Sequence, residues 1–233
     1  MNIAVIPARG GSKRIPGKNI KEFAGQPLVA YSIKAALDSK LFDKVVVSTD
    51  SDEIAKVAKM YGADVPFVRP AELSNDHVST HAVIKHAYEF FVEQGCKPDY
   101  TCCIYATAPF LMADKLIAGL DLLKQHPAKS FAFSVTTFPF PIQRALRLQD
   151  SGVEPIQPSE IPKRSQDLEE TYHDAGQFYW YRGNSFTGKS MFSQDSVPVI
   201  LPRHLVQDID THEDWHRAEL MYQAYIRGLQ DGS

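Results

Sequence analysis

Short runs of consecutive apolar residues alternate along this chain with stretches whose apolar positions recur every three or four residues. The runs lie at residues 3–7, 44–47, 65–68, 100–106 and 130–135. Each is short, uninterrupted and bounded by turn residues, which predicts strands covered on both faces. The periodic stretches predict helices over 24–38, 52–61, 80–94 and 113–125; in the first, Leu28, Tyr31, Ile33 and Leu37 share a side. Ser79 and Thr80 offer caps for the third. Strands alternating with helices of this length predict crossover units, hence an α/β fold of Rossmann-like type with a mostly parallel sheet and helices on both faces.

The alternation breaks at Thr136, and residues 137–172 are rich in Pro and polar side chains. This segment reads as an excursion inserted into a single domain spanning 1–233. Strand character returns at 176–182 and 197–201, and a last helix is predicted over 211–229. The aromatic run Phe178, Tyr179, Trp180, Tyr181 has the look of a stacking stripe for nucleic acid. Strand alternation instead divides it between two faces and favours core packing.

Composition narrows the class. With 44% hydrophobic and 23% charged residues the chain is ordinary globular material, and its net charge of -3 disfavours binding to nucleic acid through an overall basic field. The apolar start is too short for a signal peptide, and no run is long enough to span a membrane. Three cysteines, two of them adjacent, make a poor disulfide framework, so the expected compartment is the reducing cytoplasm.

Two clusters carry candidate chemistry. Arg9, Lys13, Arg14 and Lys18 fall within ten residues that contain no acid, directly after the first strand, and Gly10 and Gly11 lie among them. Glycines admit close backbone approach, and the carboxyl end of a parallel strand is where open sheets bind ligands. The combination suggests a cradle for phosphates. It is neither the dinucleotide fingerprint nor a P-loop, because five residues separate Gly11 from Gly17 and Asn19 follows Lys18. The second cluster is Asp208-Ile209-Asp210, whose carboxylates share one face of an extended chain. It reads either as a Mg2+ site or as the cap of the last helix, with Glu213 completing a box. His77 and His81 lack the glutamate of a zinc-protease motif, and no G-x-S-x-G is present.

Residues Ile6-Pro7-Ala8-Arg9-Gly10-Gly11-Ser12-Lys13, with Ile15-Pro16 and Lys18-Asn19, resemble the signature of the CMP-sialic acid synthetases, cytidylyltransferases that activate nine-carbon acidic sugars. Ser48-Thr49-Asp50, Arg69-Pro70-Ala71-Glu72-Leu73, Arg164-Ser165-Gln166-Asp167 and Asp208-Ile209-Asp210-Thr211 agree in order. The segments from Tyr105 to Phe110 and from Ala175 to Trp180 look like the branch that activates pseudaminic acid. The resemblance implies a homodimer built through the 137–172 arm, which would also cap the substrate, and two substrates, CTP and an acidic sugar. It implies that Arg9, Ser12 and Lys13 hold the triphosphate, that Asn19 and Arg69 contact the cytidine, and that Ala8, Gly10 and Gly11 also belong to the nucleotide site. Lys18 would neutralise the reacting phosphate, and Asp208 and Asp210 would bind Mg2+. Thr80, Arg164 and Gln166 would face the sugar, with Arg164 on its carboxylate. Tyr105 and Gln177 would set the choice between pseudaminic and sialic-type acids.

The reaction so implied is CTP plus pseudaminic acid giving CMP-pseudaminic acid and pyrophosphate, by direct attack of the anomeric hydroxyl on the α-phosphorus. N-acetylneuraminic and legionaminic acids, and less readily the eight-carbon acid Kdo, are alternative substrates. A metal-dependent glycosyltransferase, which would release a free nucleotide, and a non-catalytic nucleotide-binding module are alternatives of other classes.

Overall fold

The computed structural model describes residues 1–231. Strand β1 (Asn2–Pro7) leads through a two-strand turn, β2 (Glu22–Phe23) and β3 (Gln26–Pro27), into helix α1 (Leu28–Ser39). Strand β4 (Lys44–Ser48), helices α2 (Asp52–Met60) and α3 (Thr80–Glu93), strand β5 (Tyr100–Ile104), helix α4 (Ala113–Gln125) and strand β6 (Phe131–Thr137) follow. After the excursion, which carries the hairpin β7 (Leu146–Gln149) and β8 (Gly152–Pro155), come β9 (Tyr172–Arg182), β10 (Ser196–Ile200) and α5 (His212–Asp231).

Six of these strands form one sheet in the order β10-β6-β9-β5-β1-β4. All run parallel except β9, which is antiparallel to both of its neighbours. Both faces are apolar and covered. Ala4, Ile6, Cys102, Phe178 and Trp180 pack into one core layer, and Ile3, Val5, Cys103, Tyr179 and Tyr181 into the other. The aromatic run of β9 is therefore core along its whole length, split between faces as strand alternation requires. Trp180 is fully buried, stacks on Phe42 at 5.2 Å and donates its indole N–H to the Leu116 carbonyl at 3.2 Å. It leaves so little space on α4 that a Cβ on Gly119 would lie 2.9 Å from both Trp180 and Phe178.

Three boundaries differ from expectation. The predicted helix over 24–38 begins only at Leu28, because Ala24 (φ 44°) and Gly25 (φ 93°) form the tight turn between β2 and β3. Two successive positive φ angles make a primed hairpin turn, which Ala disguises in the sequence. The strand expected over 65–68 is reduced to one bridge between Val46 and Asp64, since Pro66 has no N–H to continue the ladder. Strand β9 starts at Tyr172 rather than near 176, four residues earlier than its apolar character suggests.

Residues 138–171 leave the sheet between β6 and β9 and close on themselves at the root, where the Phe138 N–H donates to the Thr171 carbonyl at 3.2 Å. Phe140, Leu148 and Val153 on this arm are among its exposed apolar side chains. Among the described residues, no helix is long and apolar enough to cross a membrane. Cys96, Cys102 and Cys103 are free thiols, the last two buried in β5.

Candidate active site

The parallel strands all end at one edge of the sheet, and β9 enters it there. The segments after β1, β4, β5 and β10 and the start of β9 therefore converge, as expected for the ligand-binding edge of an open α/β sheet. Two adjoining cavities lie at this edge, of about 580 and 660 Å³, with Tyr105 and Thr107 in the wall common to both.

The first cavity takes the basic loop. Ile15 is fully buried and packs in the same cluster as Ile209, Leu205 and Trp215, so the loop is pressed onto the segment before α5. This apolar contact brings the Lys18 ammonium onto the far end of the chain: it donates to the Ile209 carbonyl at 2.6 Å and lies 3.2 Å from Asp210 Oδ1. Arg14 reaches the other oxygen of Asp210 at 2.8 Å. Arg9 and Lys13 converge on a single carboxylate, Asp76, the first at 2.5 Å. These two contacts hold the Asp76 carboxyl below the usual carboxylate range, the Lys13 contact being the stronger influence.

Asn19 and Arg69 are buried in the wall of this cavity and are partly committed to the fold. Asn19 donates to the Arg9 carbonyl at 2.9 Å, which orders the loop. The Arg69 guanidinium donates to Ser48 Oγ at 3.1 Å and to the Ser48 carbonyl, and burial lowers its pKa to about 10, so it remains a cation at neutral pH. Ser12 and Thr80 also line the cavity. Ala8 is buried and spends its N–H on Ser48, while the Gly10 N–H is taken by Asp50 Oδ1 at 2.9 Å. Cationic side chains rather than these amides therefore dominate the anion field.

Asp208 and Asp210 flank a fully buried Ile209, so both point away from the core, Asp210 into the first cavity and Asp208 into the second. Partial desolvation and then the Asp210 charge raise the Asp208 carboxyl above its ordinary value, against the pull of Lys18. Neither acid caps α5 through its side chain. Thr211 and Asp214 form a reciprocal box instead: the Thr211 N–H donates to Asp214 Oδ2 at 2.9 Å and the Asp214 N–H to Thr211 Oγ1 at 3.2 Å. Glu213 is not its partner, and Asp210 is instead held by Arg14 and Lys18.

Tyr105 leaves the ladder one residue past β5, with its N–H on the Gln177 carbonyl at 2.9 Å and its ring 5.2 Å from Tyr179. Tyr179 donates to Asp174 Oδ2 at 2.7 Å on the wall of the second cavity.

Three expected sugar residues lie elsewhere. Gln177 is buried and lines neither cavity; its amide donates to the Leu205 carbonyl at 2.5 Å, because β9 runs through the sheet interior at that point. Arg164 and Gln166 sit on the arm outside both cavities, and Arg164 pairs with Asp167 at 2.8 Å. Asp76, Asp174, Arg203 and Arg217 also line these cavities, with no signal in the sequence to mark them. Asp76 lies in the polar turn Ser74-Asn75-Asp76, where nothing in the spacing distinguishes it from a solvated loop.

Comparison with known proteins places the chain in a family. A family model described as cytidylyltransferase matches residues 3–210. A pseudaminic acid cytidylyltransferase of Campylobacter jejuni is 45% identical over 224 residues, covering 95% of this chain and 96% of that protein. A CMP-N,N'-diacetyllegionaminic acid synthase of Legionella pneumophila is 32% identical, with the same coverage. Among solved structures, CMP:2-keto-3-deoxy-manno-octonic acid synthetase complexed with CTP superposes with a TM-score of 0.67 at 19% identity, covering 96% of this chain and 99% of that one, which shows a common fold.

Proposed function

The chain belongs to the cytidylyltransferase family, and from that premise we propose that it converts CTP and pseudaminic acid to CMP-pseudaminic acid and pyrophosphate. The observation that carries this reading is the meeting of Arg9, Lys13, Lys18 and Asp210 around one cavity that adjoins a second through Tyr105 and Thr107. A triphosphate requires clustered cations, and a two-substrate reaction requires two adjoining spaces. The 45% identity to the Campylobacter enzyme favours pseudaminic acid over the legionaminic relative at 32%.

In this reading the first cavity holds CTP, with Arg9, Lys13 and Arg14 on its phosphates and Asn19 and Arg69 toward the base. The sugar acid occupies the second cavity. Its anomeric oxygen attacks the α-phosphorus in line; the bond to the pyrophosphate oxygen breaks and the hydroxyl proton is released. No covalent enzyme intermediate is needed, so catalysis is positioning plus neutralisation of the phosphoryl oxygens, chiefly by Lys18.

Asp208 and Asp210 suit a hard divalent cation such as Mg2+. They flank the junction of the two cavities, Asp208 being destabilised as an anion by partial burial and then by Asp210; Asp210 would exchange its contacts to Lys18 and Arg14 for the ion, and phosphate oxygens would complete the donor set. Among the described residues there is no cluster of three or more such ligands, so water and substrate would have to supply the remaining donors. When bound, Mg2+ would supply charge stabilisation to the pyrophosphate leaving group.

The exposed apolar side chains of the 138–171 arm support a homodimer built through it, in which Arg164 and Gln166 would serve a neighbouring protomer's cavity. The three free thiols support a reducing, cytoplasmic setting. The test is pyrophosphate release with CTP, Mg2+ and a panel of nonulosonic acids. Pseudaminic acid should be the preferred acceptor; an equal or better rate with legionaminic or N-acetylneuraminic acid would reassign the substrate, and release of free CMP onto an acceptor would point to a glycosyltransferase.

A further inference from the structure

We propose that Arg203 receives the carboxylate of the acidic sugar, an assignment that rests on the cytidylyltransferase reading and adds to it the residue that reads the substrate's acid group. In the ring form of a 2-keto sugar acid, the carboxylate is attached to the carbon that also bears the attacking hydroxyl. Its binding partner must therefore belong to the second cavity, where that cavity meets the nucleotide. The wall of this cavity offers three basic side chains, His173, Arg203 and Arg217.

His173 is otherwise engaged, and Arg217 already faces an acid across a loose, exposed contact. His173 Nδ1 lies 2.8 Å from the Asp174 carbonyl and its ring packs against Phe138 at 4.8 Å. Arg217 stands 3.6 Å from Asp214, the acid of the α5 capping box. Arg203 differs. Among the described residues no carboxylate lies within ion-pair distance of it, and its guanidinium donates from Nη1 to the Phe138 carbonyl at 3.2 Å. The rest of a planar fork suited to a carboxylate remains for a ligand.

The backbone of Arg203 is placed firmly, while the residue itself is exposed. It begins the 3-10 turn Arg203–Leu205, whose last carbonyl accepts the buried Gln177 amide and whose Leu205 side chain is buried with Ile209. Asp174 and Asp208 border the same cavity, so an anionic ligand would be repelled there without a cation to receive it.

The experiment uses the full chain with CTP and Mg2+ and compares the sugar acid with its C1 carboxamide in the wild type, Arg203→Ala, Arg203→Lys and Arg164→Ala. The wild type should favour the acid over the amide by about 10- to 100-fold in kcat/KM, the range for loss of a charged hydrogen bond. Arg203→Ala should remove that preference by lowering kcat/KM for the acid alone, leaving the KM for CTP unchanged, and Arg203→Lys should restore part of it. An equal loss for acid and amide would reduce Arg203 to a strut for the arm root at Phe138, and loss of the preference in Arg164→Ala instead would move the site to the arm; either overturns the assignment. If pseudaminic acid is not turned over, the same comparison is made with whichever acid the wild type accepts. Failure with every acid would refute the underlying reading, and the assignment with it.

Discussion

Lys18 Nζ lies 3.2 Å from Asp210 Oδ1, across 192 residues of sequence, and Ile15 and Ile209 beside them share one buried cluster. The ammonium is largely enclosed, with its side chain 16% exposed, so its charge is poorly screened within the cavity. Lys18→Met should lower kcat for pyrophosphate release by about 100-fold or more, the usual scale for one preorganised electrostatic contact. Circular dichroism should remain native. A kcat within a few-fold of wild type would remove Lys18 from the reacting phosphate.

Asp76 occupies the cations that a triphosphate would need. Asp76→Asn should free Arg9 and Lys13 and tighten CTP binding several-fold in calorimetry; unchanged or weaker binding would mean that Asp76 organises the loop rather than competing for it.

The same acid carries a pH signature. Its folded pKa is held below the roughly 3.9 of an unfolded aspartate, so its stabilisation is complete above that value and fades as pH falls through the lowered one. In urea midpoints followed from pH 6 to pH 2.5, Asp76→Asn should lose part of the acid-limb decline. An identical decline in wild type and variant would contradict the two ion pairs.

Gln177 holds the Leu205 carbonyl from inside the sheet. Gln177→Met should leave the buried Leu205 carbonyl without its donor and lower stability by about 1–3 kcal/mol in denaturant unfolding. It should depress kcat through the turn that leads to Asp208, while sugar preference stays the same; a switch in preference would return Gln177 to the substrate.

Gly119 is a packing requirement. Alanine at a helical glycine normally gains about 1 kcal/mol. Here its Cβ would meet the Phe178 and Trp180 rings at 2.9 Å, and overpacking a rigid core costs about 1–3 kcal/mol. Gly119→Ala should therefore lower the melting temperature; a rise would show that the two rings can shift.

The sheet was legible because each buried strand is a short apolar run and each helix repeats at its own period. The hairpin at Ala24–Gly25 was not, since alanine rarely takes a positive φ and reads as helix. At the site, the basic loop and Asp208-Ile209-Asp210 stood out by local density of charge. Asp76 and Arg203 did not: each is one charged residue in a polar loop, and only the fold shows what it faces. The setting of Gln177 was hidden for the opposite reason, since motif position says nothing of a strand that buries this side chain inside the sheet.

The antiparallel course of β9 beside β6 makes the whole 138–171 excursion a hairpin connection grown long, sealed at its neck by the bond from Phe138 to Thr171. Loop-closure entropy grows only logarithmically with length, about 0.6 kcal/mol per doubling. The six-stranded scaffold is thus nearly indifferent to what is spliced between these two strands, and new recognition elements can be exchanged there while the catalytic edge keeps its shape.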